Sequence, residues 1–200
     1  MICIKDTKDF HFTDTCVTVG KFDALHIGHK ALMERMEEYR AQGLKAAVLR
    51  LEMCRTAGQE ACEGHGDGSC CLHDPADRRT VPVSELRTEQ DRIELLEALG
   101  IDIYISLPFT DELAHMNAED FVKEILVNKL GVKAMVIGDD FRFGYERKGD
   151  AELLKKLGEE YGFETAVLDR IRCDGQIVSS TLIRELIREK RLEEAYKMLG

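Results

Sequence analysis

The sequence predicts an α/β fold in which a parallel sheet is covered by helices on both faces. Short apolar runs alternate along the chain with longer segments of helical periodicity, the pattern of parallel strands joined by right-handed crossovers. Most helical segments are bounded by a capping residue or a glycine. The chain has 200 residues, 44% of them hydrophobic, which suffices for one domain with a sizeable core. We therefore predict a single domain over residues 1–200.

Five strands are predicted, each a run of mostly aliphatic residues bounded by turn-forming or polar residues. Gly20 ends the first strand and Pro108 ends the third. In chain order the predicted strands are residues 16–20, 45–51, 101–107, 132–137 and 163–168.

Helices fill the spaces between these strands and follow the last one. Thr88 and Asn117 are the capping residues of the second and third helices, and Gly43, Gly100 and Gly131 stop the first three. The last two helices are short and form a helical C-terminal segment. In chain order the predicted helices are residues 28–41, 88–99, 117–130, 150–161, 181–189 and 192–199.

Residues 53–80 break the alternation, because they are rich in Gly, Cys, Asp and His and nearly free of periodic apolar residues. Such a segment is too long for an ordinary loop, so we predict that it is either disordered or functional. Its cysteines and histidines are candidate zinc ligands. The adjacent Cys70 and Cys71 are poor geometry for one tetrahedral ion, which favours a mobile loop over a metal site.

Charge and cysteine content restrict the function classes. The net charge is −10, and no long basic run offers a surface for nucleic acid or for an anionic membrane. No apolar stretch reaches membrane-spanning length, and Lys5 comes too early for a signal peptide. Seven cysteines without a disulfide-scaffold spacing suggest a reducing compartment. We expect a cytoplasmic protein; the sequence leaves its oligomeric state open.

Two histidines, His26 and His29, stand where the first strand passes into the first helix. Backbone N–H groups and the helix dipole favour a phosphate at such an N-terminus. An imidazole can donate a hydrogen bond to a phosphate oxygen, and Gly28 lets a phosphate approach the backbone. A helix start with two surface histidines is the alternative. The preceding strand and Gly-x-Phe-Asp turn favour a phosphate site.

A second anion site is predicted in the run Val178-Ser-Ser-Thr-Leu-Ile-Arg184. Its three hydroxyls stand at a helix start, and Arg184 follows Thr181 by three residues on the same helical face. The alternative is an ordinary serine cap beside a surface arginine.

A third element is the glycine-bracketed loop Gly138-Asp-Asp-Phe-Arg-Phe-Gly144. It leaves the end of a predicted strand and carries carboxylates, an arginine and two aromatic rings, groups that can hold a ribose or a base. The alternative is a charged turn whose two phenylalanines pack on the core. We expect one of the two to do so.

Together, these elements resemble the FMN adenylyltransferase (FAD synthetase) module of the prokaryotic bifunctional riboflavin kinase/FMN adenylyltransferases. The resemblance covers nearly the whole chain except residues 53–80. It is carried by Gly20-Lys-Phe-Asp-Ala-Leu-His-Ile-Gly-His29, by the stretch from Asn117 to Gly131, by residues 138–144 with Gly149-Asp150, and by Ser179-Ser-Thr-Leu-Ile-Arg184.

The resemblance implies a Rossmann-like nucleotidylyltransferase that transfers AMP from ATP to FMN, giving FAD and pyrophosphate. It implies Mg²⁺ carried on the ATP phosphates, with no dedicated metal cage. His26, His29 and Arg184 are implied as catalytic residues. The implied nucleotide-binding residues are Gly20, Phe22, Asp23, Gly28, Ser179, Ser180 and Thr181. The implied flavin- and nucleotide-facing loop residues are Asp140, Phe141, Arg142 and Gly144. Asp23 would either order its turn or face the metal ion.

The chain departs from the family pattern in three places. Ala24 stands where the family has glycine, so a positive φ there would strain the turn. A Thr-Phe-x-Pro-His-Pro-like stretch is missing after the second strand, and His73-Asp-Pro75 is too displaced to replace it. The chain ends at Gly200, before the riboflavin kinase domain of the family, so we expect no riboflavin phosphorylation.

Two other functions are compatible with these residues. A related enzyme would use the same phosphate sites with a different phosphate-bearing acceptor. An inactive nucleotide- or flavin-binding regulator would explain the missing stretch, although such a protein has little need of both anion sites.

Overall fold

Six parallel strands form the central sheet of the described residues, in the order β1-β4-β3-β2-β5-β6. The computed structural model describes residues 1–5, 7, 9–52 and 86–200, so the predicted insert at 53–80 lies outside the described residues. The strands are β1 (Ile2–Lys5), β2 (Thr15–Gly20), β3 (Lys45–Glu52), β4 (Ile103–Pro108), β5 (Val132–Gly138) and β6 (Glu164–Leu168).

Helices cover both faces of this sheet, as predicted. They are α1 (Ile27–Arg40), α2 (Glu89–Ala98), α3 (Asp111–Ala114), α4 (Ala118–Asp120), α5 (Ala151–Tyr161), α6 (Ser180–Arg188) and α7 (Leu192–Leu199). Helix α4 continues directly into a π-helix, Phe121–Lys129. A small antiparallel hairpin, β7 (Arg172–Cys173) and β8 (Gln176–Ile177), precedes α6. Among the described residues, no helix has the length and apolar character needed to cross a bilayer.

The core is divided by the sheet, because successive side chains of a strand point to opposite faces. In β3, Ala47 and Leu49 pack with the π-helix and α5, whereas Ala46 and Val48 pack with α1 and α2. Both faces of the sheet are therefore apolar, which explains the nearly continuous apolar runs in the sequence.

The sheet has a switch point between β2 and β5. From β2, the chain winds outwards through β3 to β4, then crosses back to β5 and continues outwards to β6. The β2–β5 pairing stops at Val17 and Met135, although both strands run three residues further, whereas β2 stays paired with β3 up to Gly20. This opening at the carboxyl ends is where ligands bind in sheets of this kind.

Three features differ from the sequence prediction. The sheet has six strands rather than five, because the exposed edge strand β1 pairs with β4 and carries no buried run that periodicity could detect. The β7–β8 hairpin and α3 are too short to show a period. The helix predicted over residues 117–130 is π-helical for most of its length, with Asn117 as its cap. The remaining predicted elements are present with small shifts of their ends.

Candidate active site

The connection between β2 and α1, together with the first residues of α1, is called the histidine turn below and comprises residues 21–29. Two of its non-glycine residues have positive φ, Phe22 at 48° and Leu25 at 46°. Both side chains are buried. Ala24, where the family has glycine, does not have a positive φ, so the alanine does not strain the turn. The positive φ values of the turn are at Phe22 and Leu25. The Ala24 methyl is buried against Val178 and Ile183, which packs the turn against α6.

The two histidines of this turn stack on each other. His26 is the capping residue of α1, and the His26 and His29 ring centroids are 3.8 Å apart with an interplanar angle of 18°. The Phe22 ring is 4.9 Å from the His29 ring on the side of the sheet core. A Cβ on Gly28 would lie 3.1 Å from the His26 ring, so glycine at this position leaves room for the imidazole.

Burial keeps both imidazoles neutral near pH 7. Desolvation lowers the pKa of His26 to about 4, although its backbone hydrogen bond and the nearby Asp140 carboxylate oppose the shift. Desolvation, with the like charge of His26, lowers the pKa of His29 to about 3. The Nδ1 atoms of both rings are buried and lack a hydrogen-bond partner within the described residues. A neutral imidazole has one donor nitrogen and one acceptor nitrogen, so each ring can still donate to a phosphate oxygen.

Asp23 joins the histidine turn to α6. Its carboxylate forms an ion pair with the Arg184 guanidinium, and its other oxygen accepts a 3.3 Å hydrogen bond from the Leu86 N–H and lies 3.9 Å from Arg92 Nη2. Burial lowers the pKa of Arg184. The two anion sites predicted from distant parts of the sequence therefore meet. Of the two roles considered for Asp23, the contacts favour ordering the turn over facing a metal ion.

The three hydroxyl residues lie at the start of α6. Ser179 is the capping residue, and its Oγ accepts a 3.1 Å hydrogen bond from the Leu182 N–H. Ser180 and Thr181 form the first turn of the helix, with Thr181 exposed and Ser180 partly so. Since Ser179 serves the helix, Ser180 and Thr181 are the hydroxyls best placed for a ligand.

The loop from Asp139 to Asp150 follows β5 on the other side of the switch point. Asp140 is exposed and near enough to His26 to influence its pKa. Phe143 is buried in the core, and the partly buried Phe141 packs against the same core cluster, with the two ring centroids 5.4 Å apart. Both phenylalanines therefore pack on the core, whereas the sequence led us to expect one. Arg142 is exposed and donates 2.8 Å to the Phe141 carbonyl.

Gly144 allows this loop to pack on α4. It has a φ of +73°, and a Cβ there would lie 2.6 Å from the Ala118 N and Cα atoms. The neighbouring Tyr145 N–H donates 2.8 Å to the Met116 carbonyl. The loop is thus fixed at one side of the opening between β2 and β5.

Three arginines that were not predicted from the sequence lie behind the histidine turn, and the Nε–H of each donates a hydrogen bond to a backbone carbonyl of the turn. They are Arg50, Arg87 and Arg92. A signal was available for two of them. Arg92 precedes the core residue Leu96 by four positions and so lies on the same face of α2. Arg50 follows Ala46 and Val48 at intervals of two residues and so lies on the same face of β3. A charged residue in an apolar stripe indicates a specific buried partner.

Comparison with known proteins shows the family of the chain. A family model described as FAD synthetase matches residues 9–182 of the chain. The chain belongs to the FAD synthetase family. The bifunctional riboflavin kinase/FMN adenylyltransferase of Buchnera aphidicola (Schizaphis graminum) is 30% identical over 194 residues, covering 94% of this chain and 55% of the relative. The protein of the same name from Escherichia coli K12 is 32% identical over 188 residues, covering 92% of this chain and 54% of the relative. The chain thus spans about half the length of these curated relatives.

Solved structures share the architecture of this FAD synthetase family member. A crystal structure described as a macrolide-efflux protein from Streptococcus pneumoniae has a TM-score of 0.78 and 25% identity, covering the whole of this chain and 62% of the other. A pantoate-β-alanine ligase from Francisella tularensis, with 15% identity and a TM-score of 0.54, covers 99% of this chain and 86% of the other. At that identity the second similarity shows the fold alone.

Proposed function

We propose that this chain is an FMN adenylyltransferase: it transfers AMP from ATP to FMN and releases pyrophosphate. The observation that carries the proposal is the Asp23–Arg184 ion pair. It places the stacked histidines and the start of α6 at the same end of the sheet. The proposal includes residues 1–200 as one nucleotidyltransferase domain, with residues 53–80 as its insert.

The reaction needs positioning and charge neutralisation more than covalent help from the protein. An FMN phosphate oxygen attacks the α-phosphorus of ATP in line, and the bond from that phosphorus to the pyrophosphate oxygen breaks. His26 and His29 would donate hydrogen bonds to oxygens of the α-phosphate. Arg184, with the Ser180 and Thr181 hydroxyls, would hold the leaving pyrophosphate.

The remaining predicted residues are proposed to support this arrangement. Gly20, Phe22 and Gly28 shape the turn around the phosphates, Asp23 orients Arg184, and Ser179 caps α6. The loop residues Asp140, Phe141, Arg142 and Gly144 are proposed to face the flavin and the nucleotide. These assignments rest on the positions of the residues around one opening of the sheet.

The site residues fit Mg²⁺ that arrives on the triphosphate. The described residues hold no group of three or more His, Cys, Asp or Glu side chains that could form a metal cage. Asp23 is engaged by Arg184, and Asp139 forms a 3.0 Å ion pair with Arg170, which leaves Asp140 as the exposed carboxylate of the site. Mg²⁺ commonly takes one or two carboxylates with phosphates and water, and it neutralises phosphate charge.

A cytoplasmic location is part of the proposal. Cys3, Cys16 and Cys173 are free thiols, which fits a reducing compartment. Small-molecule substrates, rather than nucleic acid or a membrane surface, fit the net charge of −10.

One observation favours the alternative enzyme, which would use a phosphate-bearing acceptor other than FMN. Where the family carries its Pro-His-Pro-like stretch, the end of β3 carries Arg50 and Glu52, and Ser106 donates 2.6 Å to the Glu52 carboxylate. Arg50 contacts the histidine turn through the Lys21 carbonyl, so a changed group at this end of β3 would alter which phosphate-bearing acceptor fits.

The test mixes the chain with ATP, Mg²⁺ and FMN, and separates the flavins by chromatography. We expect FAD and pyrophosphate in equal amounts. His29→Ala should lower turnover by about 100-fold with little change in FMN affinity, because it removes a donor to the transition state. His11→Ala, at an exposed position outside the site, is the matched control.

Other outcomes decide between the candidates. Pyrophosphate release with a different phosphate-bearing acceptor, and none with FMN, would favour the second enzyme. Binding of ATP and FMN without turnover would favour the inactive regulator. Equal, small effects of His29→Ala and His11→Ala would remove His29 from the catalytic residues.

A further inference from the structure

Three arginines hold the backbone of the histidine turn from behind. In each case the guanidinium Nε donates a hydrogen bond to a backbone carbonyl of the turn. The pairs are Arg50 with Lys21 at 3.2 Å, Arg87 with Ala24 at 3.1 Å and Arg92 with Phe22 at 3.0 Å.

These donors come from three separate places in the chain. Arg50 lies on β3, Arg87 lies just before α2, and Arg92 lies on α2. The sequence separations between donor and acceptor are 29, 63 and 70 residues, so none of the contacts follows from local chain geometry. Three tertiary hydrogen bonds to neighbouring carbonyls fix the path of the turn more firmly than one could.

The turn needs such support because its backbone is strained. Positive φ values such as those of Phe22 and Leu25 are unfavourable at non-glycine residues and persist where the surroundings impose them. His26 follows directly after Leu25. A relaxed turn would therefore move the His26 ring, and with it the His29 ring stacked on it.

Arg92 is the most deeply placed of the three. Its side chain is fully buried, and besides the Phe22 carbonyl it forms an ion pair with Glu89 and lies 3.9 Å from the Asp23 carboxylate. Asp23 in turn holds Arg184. One guanidinium thus contacts both the backbone that carries the histidines and the carboxylate that orients the α6 arginine. Lysine, a point charge, cannot make these contacts at once.

We propose that Arg50, Arg87 and Arg92 are positioning residues for the adenylyl transfer, with Arg92 setting the relation between the histidines and Arg184. The catalytic consequence rests on the proposed function. The structural claim, that Arg92 fixes the histidine turn, does not.

The alternative is that Arg92 only helps to dock α2 on the sheet. Arg40 offers a matched comparison, because its Nε donates 3.0 Å to Asp102 and its Nη1 contacts Glu37. It lies at the C-terminal end of α1, beside Asp102, which directly precedes β4. This is at the amino ends of the strands, whereas the histidine turn follows the carboxyl end of β2. Arg40→Lys removes a similar set of contacts without touching the turn.

The experiment compares the full chain with the variants Arg92→Lys, Arg87→Gln and Arg40→Lys. The first readout is the nuclear magnetic resonance titration of the imidazole signals that disappear in His26→Gln and His29→Gln. In Arg92→Lys we expect these signals to move, and their midpoints to rise by about one pH unit or more as water reaches the loosened turn. We expect a smaller change in Arg87→Gln and none in Arg40→Lys.

The second readout is FAD formation. Because a misplacement of reacting groups by about 1 Å can cost on the order of 100-fold, Arg92→Lys should lower kcat by about tenfold or more while changing the KM for ATP less. The imidazole signals decide the structural claim even if the chain makes no FAD. If Arg92→Lys does not fold, Arg87→Gln supplies the same measurement. Unchanged imidazole signals in a folded Arg92 or Arg87 variant, with a stability loss like that of Arg40→Lys, would overturn the proposal.

Discussion

The stacked imidazoles of His26 and His29 are largely withdrawn from water, and this desolvation decides the charge that each ring carries. Desolvation lowers the pKa of His26 to about 4 and that of His29 to about 3, and the His26 charge, on a ring stacked at 3.8 Å, lowers the pKa of His29 further. Neutral rings donate hydrogen bonds without first losing a shell of water around a charge. A cationic group nearby is the Arg184 guanidinium, which is paired with Asp23.

The same pKa shifts make stability depend on pH in a definite direction. In the unfolded chain each imidazole takes up a proton near pH 6.5, whereas in the folded chain His26 and His29 stay neutral down to about pH 4 and 3. Below pH 6.5 the unfolded state therefore binds more protons, and the free energy of unfolding falls by about 1.4 kcal/mol per pH unit for each such group. We expect this loss between pH 6.5 and about pH 4, and none from these groups above pH 7.

Urea denaturation between pH 7.5 and pH 4.5 measures this loss. Carboxylates also titrate towards the acidic end, so the informative quantity is the difference between the chain and His29→Gln, which should show the flatter profile. His11→Ala should keep the slope of the parent. A His29→Gln profile as steep as the parent's would contradict the burial of a neutral His29 ring.

At the scale of elements, the site depends on how the loop after β5 is anchored. Gly144 approaches the backbone of Ala118 so closely that a methyl group has no space, and its φ of +73° is itself unfavourable for alanine. The Phe143–Gly149 bridge closes the loop, with hydrogen bonds of 3.0 and 2.9 Å. This anchoring sets the distance between Asp140 and the histidine turn.

Gly144→Ala should accordingly displace the loop. Gly175→Ala is the matched control, because Gly175 has a φ of +83° and nothing lies within 4 Å of an added Cβ. Both variants acquire the same backbone strain of about 1–2 kcal/mol, but the steric overlap should make Gly144→Ala less stable by about 1–3 kcal/mol more. Thermal unfolding measures the stability difference. The KM for FMN should rise in Gly144→Ala and stay constant in Gly175→Ala, and an equal effect of both would show that the close approach does not matter.

The elements also show what the sequence could reveal. The start of α2 was predicted from Thr88 as its capping residue, and the structure adds a capping box in which Thr88 and Asp91 make both reciprocal hydrogen bonds. Edge strand β1 could not be predicted, since its mostly exposed residues owe their conformation to pairing with β4, 101 positions later in the chain. The π-helical geometry of Phe121–Lys129 could not be predicted either, because over so few residues the apolar stripe of a π-helix resembles that of an α-helix.

For the site, local motifs located the histidine turn and the start of α6. Their convergence had to be assumed until the Asp23–Arg184 contact was seen. The arginine contacts to the carbonyls of the turn could not be inferred, because a lone arginine in a helix does not specify a carbonyl 70 residues away.

At the scale of the whole molecule, the candidate site joins the front of the chain to its back. Asp23 lies just after β2 and pairs with Arg184 on α6, near the C-terminal end. A triphosphate held by the histidine turn and by the start of α6 would therefore bridge two parts of the fold that also meet through one small apolar cluster. Ligand binding to the folded state alone stabilises that state. ATP should therefore protect the molecule as a whole.

We expect Mg²⁺–ATP at about 100 times its Kd to stabilise the fold by about 2.7 kcal/mol, a rise in Tm of about 5–10 °C for a domain of this size. Arg184→Met removes the proposed phosphate ligand and should abolish most of that rise, whatever it does to the Tm of the free protein. Arg188→Met alters an exposed arginine one turn further along α6 and should keep the full rise. Comparing the ATP-induced change within each variant separates binding from folding stability. A full ATP-induced rise in Arg184→Met would place the triphosphate away from α6 and contradict the convergence of the two anion sites.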